Sequence, residues 1–222
     1  MLLLLDLDNT LIDRTAAFAR WAARYVPAHG GGPKDVSWLI EADRDGYEPR
    51  ERLAARIRER LGPATDVGEV LQELRAGMVA QVVFDPAVGA ALTEAVAAGW
   101  VPVVVTNGSV RQQEAKLRHT GLDRLVAAWV VSEAAGVRKP DPRIFALGAQ
   151  AAGRTLAAGG WMIGDHAEYD IGGAAAAGLQ TVWLRRGRDW AADLPYRPTR
   201  AADDCAAAIR GLVSSARGRD RT

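Results

Sequence analysis

Four consecutive leucines, Leu2 to Leu5, run directly into Asp6-Leu7-Asp8-Asn9-Thr10, and this junction constrains the chain more than any other segment. An apolar run that short reads as a buried strand, and it must end in a loop carrying two carboxylates and a hydroxyl. Period-two alternation points Asp6 and Asp8 to the same side of an extended segment. Two carboxylates about 4 Å apart repel by roughly 4 kcal/mol at an effective dielectric near 20. Either something cationic sits between them or one of them is protonated. A hard divalent ion with oxygen ligands is the simplest resolution, and it permits a nucleophile paired with an acid/base.

The bulk properties narrow the setting. A length of 222 residues accommodates one large α/β domain with an insertion, or two small domains. The net charge of +1 supplies no global field to recruit nucleic acid or membrane. Cys205 stands alone, which excludes an internal disulfide and a cysteine-built metal site. Such cysteine usage fits a reducing cytoplasm, the expected location. The N-terminal apolar run lacks a basic flank and is too short for a signal peptide or a membrane span. Lysine is rare, at Lys34, Lys116 and Lys139 only, and Asn9 and Asn107 are the only asparagines. A rare residue at a suspected site owes less to composition.

Residues 14–81 contain no convincing buried strand. Helical spacing covers Ala16–Val26, Arg50–Leu61 and Val67–Val79, separated by Gly30-Gly31-Gly32-Pro33, Gly46–Pro49 and Gly62-Pro63. Charges there are 11 basic against 10 acidic, so this helical module carries no basic surface for a polyanion. From Phe84 onward strands and helices alternate. Asp85-Pro86 opens a helix to about Ala98, and Trp100–Val105 reads as a buried strand. Helices follow at Ser109–Thr120, Pro142–Ala152 and Ile171–Ala177, with strands at Ala128–Val131, Trp161–Ile163 and Thr181–Leu184. This alternation implies parallel βαβ units, which place ligands outside the carboxyl ends of the strands. The basic, Gly-containing tail from Ser214 to Thr222 reads as frayed.

Polar groups fit to handle a phosphate and a cation recur at those strand ends. They are Asp6, Asp8 and Thr10 after the first strand, and Thr106-Asn107-Gly108-Ser109 after Trp100–Val105. Gly164-Asp165 follows Trp161–Ile163, with Asp170 just beyond, and Arg138-Lys139-Pro140-Asp141-Pro142 precedes a helix. Taken singly, each has a plainer reading as a surface turn, an N-cap or a solvated charge. Their joint occurrence in one order is what carries weight.

This set resembles the haloacid dehalogenase superfamily across nearly the whole chain. Asp6, Asp8 and Thr10 match its D-x-D-x-T motif, and Thr106 in Val-Val-Val-Thr-Asn-Gly matches the strand-end Thr or Ser. Lys139 in Val-Arg-Lys-Pro-Asp-Pro matches the lysine before a helix, and Asp165 with Asp170 match G-D-x-x-x-x-D. The resemblance implies an α/β fold with a Rossmann-like three-layer core and a parallel sheet of strand order 5-4-1-2-3. The core would span 1–13 and 82–222, with a small helical cap at 14–81. It also implies a Mg²⁺-dependent phosphatase acting on small phosphorylated metabolites, not on nucleic acid or at membranes.

The implied roles follow chemistry. Asp6 attacks phosphorus to give an aspartyl-phosphate, and Asp8 serves as the acid and then the base. Mg²⁺ is held by the Asp6 carboxylate, the Asp8 backbone carbonyl and Asp165, with Asp170 ligating or orienting waters. Thr106 and the amides of Asn107 and Gly108 receive the phosphate beside a helix N-terminus, and Lys139 contacts both Asp6 and the phosphate. Four carboxylates are then opposed by Mg²⁺ and Lys139, so a metal-free cluster repels itself. A dehalogenase fits poorly, since those relatives lack the second aspartate of the first motif. Phosphonate cleavage would need a cap lysine, and Lys34 sits in a Gly/Pro loop. A phosphomutase on the same fold, or a non-catalytic binding or regulatory module, are the alternatives. His166 is read as loop-stabilising in preference to an acid/base. Trp100, Trp129, Trp161 and Trp183 are read as core. Trp21, Trp38 and Tyr47 are read first as packing between the cap helices and second as candidates for a substrate pocket, and Arg14, Arg44 and Arg50 are candidates for the cleft.

Overall fold

The computed structural model describes residues 1–62 and 66–219, with side chains described through residue 216. Pro63 of the expected Gly62-Pro63 separator, and the last three residues of the tail, lie outside the described residues. In chain order the elements are β1 (Leu2–Leu5), α1 (Arg14–Ala28), α2 (Pro33–Asp43), α3 (Arg50–Leu61), α4 (Val67–Ala80) and α5 (Pro86–Ala97). There follow β2 (Val101–Thr106), α6 (Val110–Thr120), β3 (Ala128–Val131), α7 (Ser132–Ala135), α8 (Pro142–Ala151) and β4 (Trp161–Gly164). A π-helical turn (Ala167–Gly172) leads into α9 (Gly173–Ala176), and β5 (Gln180–Leu184), β6 (Arg200–Ala202) and α10 (Cys205–Arg219) complete the chain. The chain divides into two compact units, Met1–Ile12 with Phe84–Thr222, and Asp13–Val83.

The first unit is built on a six-stranded parallel sheet of order β3-β2-β1-β4-β5-β6. Read from β5, the five expected strands stand in the order 5-4-1-2-3, with β6 added beyond them. Its strands are continuous apolar runs because the sheet is covered on both faces. Leu2, Leu4, Val103, Val105 and Met162 meet Ile144 and Phe145 of α8 and Ala174 of α9 on one face. Leu3, Leu5 and Val104, of opposite alternation, are also fully buried, and α5 and α10, packed on each other, lie against β2 and β5. The close seating of α8 depends on Gly148, where a Cβ would come within 2.7 Å of the Val105 side chain. Asp85 and Asp141 cap α5 and α8 by accepting the amides of Ala87 (2.8 Å) and Arg143 (2.9 Å).

Three expectations about this unit need correction. The tail is helical to Arg219, because Cys205, Ile209, Leu212 and Val213 supply a buried stripe that the Gly/Arg-rich composition conceals. β6 was not anticipated, since three residues of Arg-Ala-Ala carry no hydrophobic signal. The helix expected from Ile171 begins earlier, as the wider turn Ala167–Gly172. Of the strand tryptophans, Trp100, Trp161 and Trp183 are core, whereas Trp129 is half-buried with its indole N–H donated to Glu114 (3.3 Å).

Among its described residues the second unit is built of helices, with Phe18, Leu39, Leu53, Ile57, Val70 and Leu74 among those buried. The helix α2 is not among those expected from the sequence: it starts inside the Gly30-Gly31-Gly32-Pro33 separator, with Gly32 as N-cap and Pro33 its first residue, where a missing N–H removes no helical bond. Arg14 and Arg50, candidates for the cleft, are engaged within this unit. Both are bound to the buried Asp43, Arg50 at 2.5 Å. Burial alone would raise the Asp43 pKa, but the hydrogen bonds and charge of Arg14, with Arg50, hold it below the ordinary carboxylate value. Arg44 is largely exposed, 3.9 Å from Glu48. Trp21 is buried and stacked on Tyr25, Trp38 lies beneath the guanidiniums of Arg56 and Arg60, and Tyr47 is exposed. Among the described residues no helix is long and apolar enough to cross a membrane.

Candidate active site

The carboxyl ends of β1, β2 and β4 meet at the sheet's centre, and the chemistry-bearing side chains collect there. Asp6 extends β1 by one residue, its amide donating to Ile163 of β4 at 3.0 Å. Lys139 arrives on the loop before α8. Asn107, at the end of β2, grips that loop from both sides: its Oδ1 accepts the Lys139 amide (2.9 Å) and its Nδ2 donates to the Lys139 carbonyl (3.1 Å). Lys139 is 3% exposed, and its Nζ lies 2.6 Å from Asp6 Oδ1 and 2.7 Å from Asp170 Oδ1. The second oxygen of Asp170 accepts the His166 amide at 3.0 Å. Gly164 is required at the end of β4, since a Cβ there would overlap the Asp170 carboxyl group. Asp165 accepts from Arg188 at 3.1 Å, and its carbonyl accepts the Trp183 indole N–H at 3.0 Å. Oxygens of Asp6, Asp165 and Asp170 all lie within 4.8 Å of one another.

Three buried carboxylates around one ammonium leave a shortage of positive charge. Burial pushes Asp6 up to about 7; the Lys139 charge works against this, while Asp170 and Asp8 reinforce it. Burial, then Asp170 and Asp6, push Asp165 up to about 8, only partly opposed by Arg188 and Arg186. Burial would depress Lys139, but Asp170 and Asp6 overcome it and raise its pKa. A set of hard oxygen donors with this deficit fits a divalent cation.

The same shifts make metal removal measurable. An aspartate whose folded pKa is raised supplies stability that is full below its ordinary value of 3.8 and is lost as pH rises through the raised value. For Asp6 and Asp165 that loss is completed near pH 7 and 8, whereas Asp43 and Asp141, shifted downward, act at lower pH. In chelator the protein is therefore expected to melt lower at pH 8 than at pH 5. A divalent ion should recover the difference at pH 8 and add little at pH 5. Thermal melts with and without the ion test this, and an ion effect largest at pH 5 contradicts it.

Asp8 and Thr106 face a second group. The Asp8 carboxylate is bound by Lys116 and Gln113 of α6, and Gln113 also donates to Thr106 Oγ1 at 2.6 Å. Neither α6 residue was singled out from the sequence. The rarity of lysine, which drew attention to Lys139, applies equally to Lys116. Thr10 Oγ1 is buried without a hydrogen bond.

At the expected phosphate cradle two backbone amides have partners within the protein. The Gly108 amide donates to Ser132 Oγ at 3.0 Å, and the Val110 amide at the start of α6 donates to Glu133 at 2.8 Å. The short helix α7 brings both partners to the end of β2, so the positive end of α6 already has a carboxylate. Asn107 acts here through its side chain, on Lys139. His166 accepts the Tyr169 amide (3.1 Å) and stacks on that ring at 4.1 Å, a loop-stabilising arrangement, and burial lowers its pKa.

A parallel α/β sheet whose central strand ends gather three aspartates around a buried lysine is the frame of an aspartate-centred hydrolase. The chain belongs to the haloacid dehalogenase-like hydrolases, whose family model matches residues 1–178. It is 32% identical to phosphoserine phosphatase of Thermus thermophilus, over 84% of this chain and 89% of that protein. Over a shorter stretch it is 41% identical to the pyrimidine 5'-nucleotidase YjjG of Escherichia coli, covering 36% of each chain. Among solved structures, a 2-haloacid dehalogenase of Pseudomonas syringae superposes with a TM-score of 0.62 at 26% identity, over 96% of this chain and 98% of that one.

Proposed function

We propose that this chain hydrolyses small-molecule phosphomonoesters with Mg²⁺, through a phosphoryl group carried on Asp6. The observation that carries the reading is the Lys139 ammonium bridging Asp6 and Asp170, with Asp165 completing a three-carboxylate pocket. Kinship to phosphatases supports the same class of substrate. Mg²⁺, held by Asp6, Asp165, the Asp8 carbonyl and Asp170, would supply charge neutralisation for the phosphoryl group.

An Asp6 oxygen forms a bond to phosphorus while the bond to the leaving oxygen breaks, and Asp8 gives that oxygen its proton. Water then attacks the same phosphorus and yields its proton to Asp8, and the Asp6–phosphorus bond breaks to release phosphate. Lys139 holds Asp6 in position for attack and offsets charge on the phosphoryl oxygens. Thr106 and the Asn107 amide contact those oxygens. The Gly108 amide joins them only by giving up Ser132. Retention of Asp8 separates the chain from dehalogenases, which have no oxygen leaving group to protonate. We further propose that residues 14–81, inserted directly after the first motif, form the substrate-selecting cap. The compartment we propose is the cytoplasm, on the strength of Cys205, a buried free thiol.

Purified protein screened against sugar phosphates, nucleoside monophosphates and other phosphorylated metabolites tests this. Phosphate release that depends on Mg²⁺ and stops with chelator is expected. No release from any member overturns the reading, and turnover that requires a bisphosphate activator would make the enzyme a mutase.

A further inference from the structure

Lys116 is 4% exposed, and a buried ammonium is costly unless its partners compensate it. Its Nζ lies 2.8 and 2.7 Å from the two oxygens of Asp8 and 2.7 Å from Gln113 Oε1. Gln113, itself buried, turns its Nε2 to Asp8 Oδ2 at 2.9 Å and to Thr106 Oγ1 at 2.6 Å. The two residues stand three apart on α6 and so share one helical face. Contact with both carboxyl oxygens fixes rotation about the last side-chain bond of Asp8, which a single hydrogen bond would leave loose. The amide donated to Thr106 directs that hydroxyl's own proton away from Gln113. One helix face thus orients two groups that belong to different strand ends.

We propose that Gln113 and Lys116 are positioning residues for the leaving-group acid: they hold the Asp8 carboxyl in the orientation needed for proton delivery and register it against Thr106. The inference rests on the reading of Asp8 as the acid/base of a phosphatase. Both residues would act through the Asp8 carboxyl that they bind, and not on the phosphorus or the leaving oxygen. Their effect should therefore depend on how much the leaving group needs a proton.

The test compares Lys116→Met and wild type on phenyl phosphate, whose phenol leaves poorly without protonation, and on 2,4-dinitrophenyl phosphate, whose phenol leaves unaided. The quantity is kcat/KM with Mg²⁺, which reports steps through the first bond cleavage and not the later hydrolysis. Lys116→Met should lose about 100-fold on phenyl phosphate and less than about 5-fold on the dinitrophenyl ester, the scale of general acid catalysis. In an Asp8→Asn background the same substitution should add almost nothing, because the group it positions is gone. An equal loss on both esters, no loss on either, or a full additional loss in the Asp8→Asn background overturns the proposal. Gln113→Leu removes no charge and is read by the same criteria should circular dichroism show Lys116→Met unfolded. Wild type inactive on both esters sinks the phosphatase reading itself, an outcome distinct from wild-type turnover with variants that lose equally on both.

Discussion

Asp6→Asn is expected to lower kcat on every phosphomonoester substrate by at least about 10⁴-fold, the scale seen when a nucleophile is removed. The amide has the shape of the carboxylate but not its nucleophilicity, so no phosphoryl-enzyme should form. Asn can still accept from Lys139, which keeps its second partner Asp170 at 2.7 Å. Burial pushes Asp6 up to about 7, so in the metal-free fold its charge is a burden above that pH. The sign follows directly: wild type loses the contribution of this group as pH rises, and the neutral variant does not. Metal-free Asp6→Asn should therefore melt about 5 °C above metal-free wild type at pH 8 and close to it at pH 5. Steady-state assays, acid-quench trapping of labelled phosphate and thermal melts check the three parts. A phosphorylated Asp6→Asn protein would remove Asp6 as nucleophile.

Lys139→Met should produce the largest loss in stability, together with a large loss in turnover. The lysine is buried between Asp6 and Asp170, and removing one partner of a buried ion pair typically costs about 3–5 kcal/mol. For a chain of this size that corresponds to a fall of about 10 °C in the metal-free melting temperature at pH 8. The deficit should shrink at pH 5, where Asp6 and Asp165 bind protons instead. A divalent ion should restore part of the stability, whereas kcat should stay about 10³-fold down, because charge on the phosphoryl oxygens is no longer offset. Lys139→Arg is not expected to rescue, since a planar guanidinium is a poor replacement for a compact ammonium held by two carboxylates. Unchanged melting of Lys139→Met at pH 8 would show that the lysine does not hold the cluster together.

Much of the site was legible because its residues sit at strand ends, and strand ends are marked by abrupt changes from apolar to polar. Leu5 to Asp6, Val105 to Thr106 and Ile163 to Gly164-Asp165 are such junctions, and parallel pairing brings them side by side. Lys139 was found by its motif, but what holds it, the Asn107 side chain, was assigned a different contact. Gln113 and Lys116 escaped notice for a plainer reason. A Gln and a Lys on an amphipathic helix ordinarily face water, and nothing local distinguishes a face turned toward Asp8. Arg14 shows the converse, since its partner Asp43 lies 29 residues on and the ion pair is buried, with Arg50 joining it from seven residues beyond Asp43.

Local sequence determined the strands other than β6, most of the helices and the identity of the acidic groups, because alternation, capping and apolar runs act over a few residues. It also determined that the acids need a positive partner, since like charges at short range repel wherever the fold puts them. Only the tertiary structure decided which partner each acid received: Lys139 for Asp6 and Asp170, Lys116 for Asp8, Arg188 for Asp165. It likewise decided that Ser132 and Glu133 meet the Gly108 and Val110 amides. These pairings join residues far apart along the chain, and their geometry follows from sheet register and helix seating, which no short window of sequence encodes.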